Sequence, residues 1–505
     1  MPPVPTIDVL VVGAGPTGLT MAVELARHGV RPRLIDQALV PPADTSRALV
    51  IQARTLELFD LMGIVDTVLR AGLVAQGVNL VSHRGGRTSV PLSAFQEELD
   101  SPYATMLMLP QNETERILAE RATSLGIVIE RGVALDSFDN ADDRVTARLR
   151  HTDGHIEETA VRWLIGCDGA HSTVRRGAGI PFDGITYADE CLLGDVHIDW
   201  SFPDGVLSLC PSPEGVLAAF PITGTHHFRI IMILPRDDTS GGRPPTRDEF
   251  EAQLRRMVPP SDPVPTMLDV AWHTRYRLHR RGVPHYRVGR AFVAGDAAHI
   301  HSPAGGQGMN TGIQDAINLA WKLALVVRGR AADWLLDTYA TERHPVARTL
   351  LRGTDLMFAG MVGRGLGGTL LRHVAPSLGL RALLIPAVRR RLVHFVSELG
   401  VRYRHSPLSV NAGERAPDAT LGTGRMFDLF RHPGHTLLVF GDAAPLDLTR
   451  YGAEVVTHLI VDPDVRVKYC LPDGGYCLVR PDGYVGIRTP SRDEMLADMA
   501  RRFTI

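Results

Sequence analysis

The sequence predicts an α/β chain in which a Rossmann-like nucleotide-binding domain holds an inserted β-sheet and is followed by a small α/β unit. Three observations carry this reading. An apolar run, Val9 to Val12, enters Gly13-x-Gly15-x-x-Gly18 and then a helical pattern. Two later stretches, Gly166-Cys-Asp168-Gly-Ala-His-Ser-Thr-Val-Arg175 and Gly289-Arg-Ala-Phe-Val-Ala-Gly295-Asp296-Ala-Ala-His299, each pair a glycine with an aspartate in a similar setting. Between them lie strand-like segments separated by Pro and Gly turns.

The first element is a strand, turn and helix, with the helix expected from Leu19 to His28 and a second strand from Pro32 to Ile35. One glycine permits the tight turn, one admits a pyrophosphate close to the backbone, and one lets helix and sheet approach. Pro16 and Thr17 complete that loop, and the helix N-terminus offers unpaired N–H groups to phosphate. Asp36 ends the second strand, where a carboxylate accepts hydrogen bonds from ribose hydroxyls.

The stretch ending in Gly295 and Asp296 leads through Ser302-Pro303-Ala-Gly-Gly306-Gln-Gly308-Met309-Asn310 into a helix expected from about Thr311 to Val327. Ile313, Ile317, Ala320, Ala324 and Val327 give that helix one buried stripe. Its N-terminus therefore faces the glycine loop, and bare backbone beside a dipole end suits the electron-rich edge of a reduced flavin. The amide of Asn310 can both donate to and accept from the pyrimidine side of such a ring. A further helix is expected from Asn112 to Ser124, with Asn112 and Glu115 as a capping box and Gln111 at its exposed start.

The insert, 181–269, is read as strands at Leu192 to Ile198, Val216 to Ile222 and Phe228 to Leu234. Residues 1–180 and 270–350 form the nucleotide-binding domain, with 76–100 joining the insert, and 351–405 are connecting helices. Within these, no acidic residue occurs between Asp355 and Glu398, while six arginines do. That basic stretch is read as a helix with solvated arginines. Gly363, Gly365 and Gly368 imitate the dinucleotide pattern without a preceding strand, so no second nucleotide fold is expected. From 406 to 505, strands at Val455 to Val461, Val465 to Leu471 and Tyr476 to Arg480 join helices at Ala443 to Gly452 and Ser491 to Arg502. If Pro472 to Gly475 is a four-residue hairpin loop, Cys470 and Cys477 sit opposite one another, and reduced thiols rather than a disulfide are expected there.

With 505 residues, the chain calls for two or three domains. A net charge of −2 argues against nucleic acid or an anionic membrane as main partner. Only Lys322 and Lys468 are lysines among 54 basic residues. No apolar run spans a membrane, no cleavable signal is visible, and five cysteines lack metal-ligand spacing. A cytoplasmic location, as monomer or homodimer, is expected.

On these motifs the chain resembles the class A FAD-dependent aromatic monooxygenases of the para-hydroxybenzoate hydroxylase fold. It is most similar to the aromatic polyketide hydroxylases of actinomycetes, whose C-terminal domain is thioredoxin-like. The resemblance implies FAD as cofactor, NADPH or NADH as co-substrate, and O₂ transferred from a flavin C4a hydroperoxide to an electron-rich aromatic small molecule. Gly13, Gly15, Gly18 and Asp36 then resemble ADP contacts, and Arg47 and Gln111 further FAD contacts. Asp168 is similar to a residue serving FAD and nicotinamide handling, Gly295 and Asp296 to ribitol or ribose contacts, and Pro303 to Asn310 to the loop facing the ring. The family's inserted sheet walls the substrate, which makes Phe220 a candidate wall residue. No catalytic acid or base is assigned, although His299 and His301 lie beside the loop. A Baeyer-Villiger oxygenase of the same fold and a flavin-binding protein without turnover remain as alternatives.

Overall fold

The computed structural model describes residues 7–41, 48–82, 86–103, 106–235, 243–301, 305–362 and 385–504, without the side chains of 97 and 356–362. Its organising element is a sheet in which five strands run parallel side by side: Ala291–Val293, Ile156–Gly166, Ile7–Val12, Arg33–Asp36 and Ile129–Arg131. Val12 lies opposite both Gly166 and Ile35, and Gly166 opposite Val293. Stretches far apart in sequence therefore leave the sheet at one edge, beyond the C-terminal ends of its strands. That edge is where open parallel sheets bind ligands.

The helices Pro16–Arg27 and Gly308–Val327 pack against one another over this sheet. Val9, Leu10 and Val11 are fully buried, as expected of strands in a covered parallel sheet. Each such side chain contributes about 1.5–3 kcal/mol on leaving water.

A second sheet has eight strands, ordered His299–Ile300, Thr266–Gly282, Asp183–Asp199, His227–Pro235, Gly215–Pro221, Val206–Ser212, Gly77–Val81 and Arg87–Pro91. Alternation sorts its side chains. Leu192, Val196, Phe228, Ile230 and Met232 meet Phe250 and Leu254 of the helix Arg247–Met257 on one face. Cys191, Leu193, Val216 and Ile233 point to the other, with half-buried Trp272 and Tyr276. Two of these strands, Val206–Ser212 and Thr266–Gly282, escape the sequence reading because polar residues interrupt their apolar pattern. The Arg247–Met257 helix was also not foreseen, although Thr246 and Glu249 close a full capping box at its start.

The C-terminal unit is thioredoxin-like: strands Val455–Ile460, His435–Phe440, Gly475–Val479 and Val485–Thr489 lie in that order, with the helix Arg492–Arg502 at the end. Four local expectations fail here and at residue 112. The stretch around Val465 is a helix, Pro463–Lys468, started by Asp462, whose side chain accepts from the N–H groups of Asp464 and Val465. Cys470 and Cys477 consequently do not face across a hairpin, and both are free thiols. Residues 443–452 yield only a short 3-10 turn, Thr449–Glu454. The helix expected at Asn112 starts one residue earlier as Gln111–Ser124, follows Pro110, and has no side-chain cap; Glu115 accepts from Gln111 instead. Among the described part of the basic stretch, the helix Pro386–Val396 exposes Arg390 and Arg391 and pairs Arg389 with Glu98.

Candidate functional site

The glycines of the first turn divide the work their spacing suggests. A Cβ at Gly13, which has φ +101°, would lie 2.4 Å from the Cys167 carbonyl oxygen, and one at Gly18 would lie 1.8 Å from that of Gly13. Neither position admits a side chain. At Gly15 a Cβ would meet nothing within 4 Å, so this glycine keeps space open rather than a contact closed. Gly15 is the N-cap of the Pro16–Arg27 helix and supplies no capping side chain, which leaves the first-turn N–H donors to an anionic ligand. A dinucleotide pyrophosphate fits this cradle by shape and by donor chemistry.

Thr17 serves packing. Its Oγ1 would lie 2.5 Å from a Cβ at either Gly295 or Gly312, so it wedges the first loop against the third motif. Asp36 accepts from the Ala14 N–H at 2.6 Å and the Ala38 N–H at 2.8 Å, bracing the loop from the neighbouring strand. Asp168 accepts from the N–H groups of Thr173 and Val174 at 2.7 and 3.2 Å. Burial raises its carboxyl above the usual range. Arg175 then reaches the Ala297 carbonyl at 3.2 Å and ties the second motif to the third. Gly295 stands at φ +60° and is buried, while Asp296 beside it is exposed at the same sheet edge.

The loop before the Gly308–Val327 helix is held from behind. Asn310 is fully buried; its Oδ1 accepts from the Gln52 N–H at 2.9 Å, and its Nδ2 donates to the carbonyls of Val50 and Gly306 at 2.8 Å each. The amide expected to read a ring is thus engaged in joining the loop to the strand Val50–Gln52. Gln111 is similarly engaged, donating to Glu115 and accepting from the Ala48 N–H. Gly305, Gly306, Gly308 and Met309 are only half-buried, so backbone forms the open surface of the loop. Gln52 Oε1 is buried beside it with no hydrogen-bond partner among the described residues, an acceptor a ring N–H could satisfy. Arg47 and Pro303 lie outside the described residues.

Several residues at this site were not foreseen. Asp315 accepts from His299 Nε2 at 2.7 Å, from Arg343 Nε at 2.6 Å and from the Gly295 N–H at 3.1 Å. Burial alone would raise its carboxyl, yet Arg343 and His299 hold it below the usual range. His299, 2% exposed, is therefore a bracket for the third motif rather than a group facing substrate. A stripe of Thr311, Asp315, Asn318 and Lys322 at helical spacing inside an otherwise apolar helix was the available signal. Asp315→Asn sets an amide against donors on both sides. It is expected to lower stability by about 2–3 kcal/mol and to reduce bound flavin, as read by thermal melting and by the absorbance of purified protein.

In the inserted sheet, Arg229 is 1% exposed and makes two bonds to Asp195, at 2.6 and 2.8 Å, while Trp272 Nε1 donates to the same carboxylate at 3.1 Å. Its Nη1 donates to the Ala48 carbonyl at 2.7 Å. That carbonyl also accepts from the Gln111 N–H, so the sheet is bolted to the segment that leads into Val50 and the glycine loop. Phe220 packs half-buried in one apolar cluster with Val50, Ile222, Met108 and Val393. Val50 in turn would touch a Cβ at Gly306 at 3.0 Å, so the cluster that holds Phe220 reaches the loop.

Three nucleotide motifs on one sheet edge, an open middle glycine, and an apolar wall beside a glycine loop define the architecture. The FAD binding domain family matches residues 6–354, and the aromatic-ring hydroxylase C-terminal family matches residues 409–504. The chain belongs to the FAD-dependent aromatic-ring hydroxylases. Over 95% of this chain and 90% of the relative it is 38% identical to 6-methylpretetramide 4-monooxygenase of Streptomyces rimosus. Over 98% of each it is 35% identical to a rifampicin monooxygenase of Streptomyces venezuelae. The solved anhydrotetracycline hydroxylase of Streptomyces rimosus superimposes with a TM-score of 0.80 at 31% identity, covering 98% of this chain and 99% of that one. A ternary complex of aklavinone-11 hydroxylase with FAD and aklavinone gives 0.78 at 28% identity, with 98% of each chain covered. As a member of this family the hydroxylase is an FAD-dependent monooxygenase whose co-substrate is a nicotinamide. No described helix is long and apolar enough to cross a membrane.

Proposed function

We propose that this hydroxylase inserts oxygen into a phenolic ring of a multi-ring, polyketide-type substrate bound between the glycine loop and the inner face of the eight-stranded sheet. The observation that carries the reading is the position of Phe220, which shares a cluster with Val50 directly behind that loop. The names of the relatives point the same way, since they are a 6-methylpretetramide monooxygenase and hydroxylases of anhydrotetracycline and aklavinone. When bound, FAD supplies O₂ activation after reduction by NADPH or NADH.

The chain's own residues do the rest. The backbone of Gly13, Gly15 and Gly18 with Pro16 would seat the pyrophosphate, and Asp36 the ribose edge of the loop it braces. Gly295 and Asp296 would line the ribitol or ribose, Asp168 would serve FAD and the handling of the nicotinamide, and Arg47 and Gln111 would be further FAD contacts. Gly306, Gly308 and Met309 would form the surface against the ring, with Asn310 holding the loop from behind. Phe220, Trp272 and Tyr276 would cover the substrate and keep water from the reacting face. These roles accord with a division into an FAD-binding domain (1–180 and 270–350), an inserted sheet (181–269, with 76–100), connecting helices (351–405) and a thioredoxin-like unit (406–505), except that the strand Thr266–Gly282 carries the inserted sheet past residue 269. A cytoplasmic monomer or homodimer fits the free thiols.

Purified protein supplied with NADPH, O₂ and a panel of phenolic polyketides tests this. Oxygenated phenol is the expected product; a ring-expanded lactone would indicate Baeyer-Villiger chemistry, and no substrate-stimulated NADPH consumption with any phenol would refute the reading. Arg229→Lys keeps the charge but loses the forked grip on Asp195 and Ala48 together. The fraction of NADPH yielding product rather than peroxide is then expected to fall roughly tenfold, because a small shift of the substrate wall misaligns the reacting atoms.

A further inference from the structure

Helix Gly308–Val327 carries one more buried partner. Glu398 lies just past the Pro386–Val396 helix, 5% exposed, and its backbone takes the left-handed conformation at φ +61°, which is strained for a residue with a side chain. That backbone sends the carboxyl inward to the Gly308–Val327 helix. Thr311 Oγ1 lies 3.2 Å from Oε1, and Gln314 Nε2 donates to Oε2. From the same helix, Gln307 Nε2 donates to the Phe395 carbonyl at 2.9 Å. The segment 395–398 is thus pinned to the turn that follows the glycine loop, one residue from Asn310.

Both partners of the carboxyl are neutral: Thr311 Oγ1 and Gln314 Nε2 donate to Oε1 and Oε2, and no cation lies within ion-pair distance of it among the described residues, so burial is left to favour the protonated acid, whose Oε1–H the Thr311 hydroxyl can turn to accept. Other groups bear on it from each packed element. Asp315 of the same helix opposes its ionisation, and Arg343 of the helix Trp334–Val362 favours it. Arg343 is already shared among Asp315, Tyr403 and the Thr311 carbonyl. From the helix Ala53–Leu61, Arg54 donates its backbone N–H to Ser397 and spends its side chain on Glu57 and the Asp482 carbonyl.

We propose that Glu398 is a positioning residue that works as a protonated acid, latching residues 395–398 to the helix and so fixing the glycine loop against the flavin. This rests on the assignment of that loop to the flavin ring. Burial raises the carboxyl to about 8, against a partial pull downward from Arg343 and the two hydrogen bonds. Below pH ~4.5 folded and unfolded chains both hold the proton. Between ~4.5 and ~8 only the folded chain does, so its contribution to stability falls as pH rises and levels off above.

The test compares wild type with Glu398→Gln and Glu398→Ala as holoenzymes between pH 5 and 9, reading FAD dissociation by flavin fluorescence and melting temperature separately. Gln places an N–H donor on Thr311 and an acceptor on Gln314, reproducing the protonated acid at every pH. Wild type is expected to weaken its hold on FAD about tenfold between pH 7 and 9, since roughly one molecule in ten keeps the proton at pH 9. Glu398→Gln should match wild type at pH 6 and stay flat to pH 9, with a melting advantage that grows up to pH 8. Glu398→Ala should bind FAD weakly throughout. A pH dependence that persists in Glu398→Gln overturns the proposal. So does a growing melting advantage with pH-independent FAD affinity in wild type, which would leave the enzyme's flavin chemistry intact. A wild type that takes up no FAD at any pH would bring down the functional reading itself and this inference with it.

Discussion

Gly15→Ala is expected to leave the folded protein within about 0.5 kcal/mol of wild type while weakening FAD binding roughly 10- to 100-fold. The backbone at Gly15, φ −77°, is open to any residue, and an added methyl group meets no protein atom within 4 Å. Whatever it damages must therefore be something that enters from outside. A pyrophosphate needs the backbone at that point, and holding it off by one methyl group sacrifices about 1.4–2.8 kcal/mol of binding. Gly18→Ala is the control: its methyl group would overlap the Gly13 carbonyl oxygen at 1.8 Å, so it should lower the melting temperature and yield little soluble protein. Flavin titration of refolded or mildly deflavinated protein, beside thermal melts of both variants, separates the two effects. Equal loss of FAD and of stability in Gly15→Ala would contradict the assignment of that space to the cofactor.

Glu342→Gln is expected to cost about 3–5 kcal/mol, the largest stability loss of any single change considered. Glu342 is fully buried; Lys322, Asn318 and Arg480 donate to Oε2 at 2.7, 2.7 and 2.8 Å, and Arg480 and Ser406 to Oε1 at 2.6 Å each. Asp482 shares Arg480 and accepts from Trp321. Two cations and two anions are thus sealed where the Gly308–Val327 helix, the helix after it and the C-terminal sheet meet. Burial already brings Lys322 down to about 8, and Glu342 is its chief restraint against falling further. With a neutral amide in its place, Lys322 must lose its proton or stay charged without a partner. Thermal melts and limited proteolysis should show the C-terminal unit loosening first. A variant that melts with wild type would show the cluster to be dispensable.

How much of this was legible before the fold is best judged residue by residue. Gly13, Gly15 and Gly18 are written in the chain because the turn they make is local: spacing alone states which backbone positions forbid a Cβ and which leave room. The buried stripe of the Gly308–Val327 helix reads equally well, since a 3.6-residue period needs no knowledge of the partner. Thr266–Gly282 did not read as a strand, because its polar residues are neutralised by neighbours, Glu190 of the next strand and Asp355 of the helix Trp334–Val362, that only the fold supplies. The stretch at Val465 read as a strand from its β-branched residues, but the Asp462-Pro463 cap decided for a helix. Asn310 and Gln111 read as cofactor contacts, and the amides of both are joined to Val50, Gln52, Ala48 and Glu115 through a network that spacing does not show.

The sequence by itself determined the cofactor class, the three strand ends that would meet it and the presence of an inserted sheet. These depend on local backbone requirements and on periodic burial, both of which are properties of short stretches. Only the tertiary structure decided which charges are buried together. The Asp315 and Glu342 clusters each join residues from separate elements, and a charge is tolerated in the interior only when its partner arrives from elsewhere in the chain.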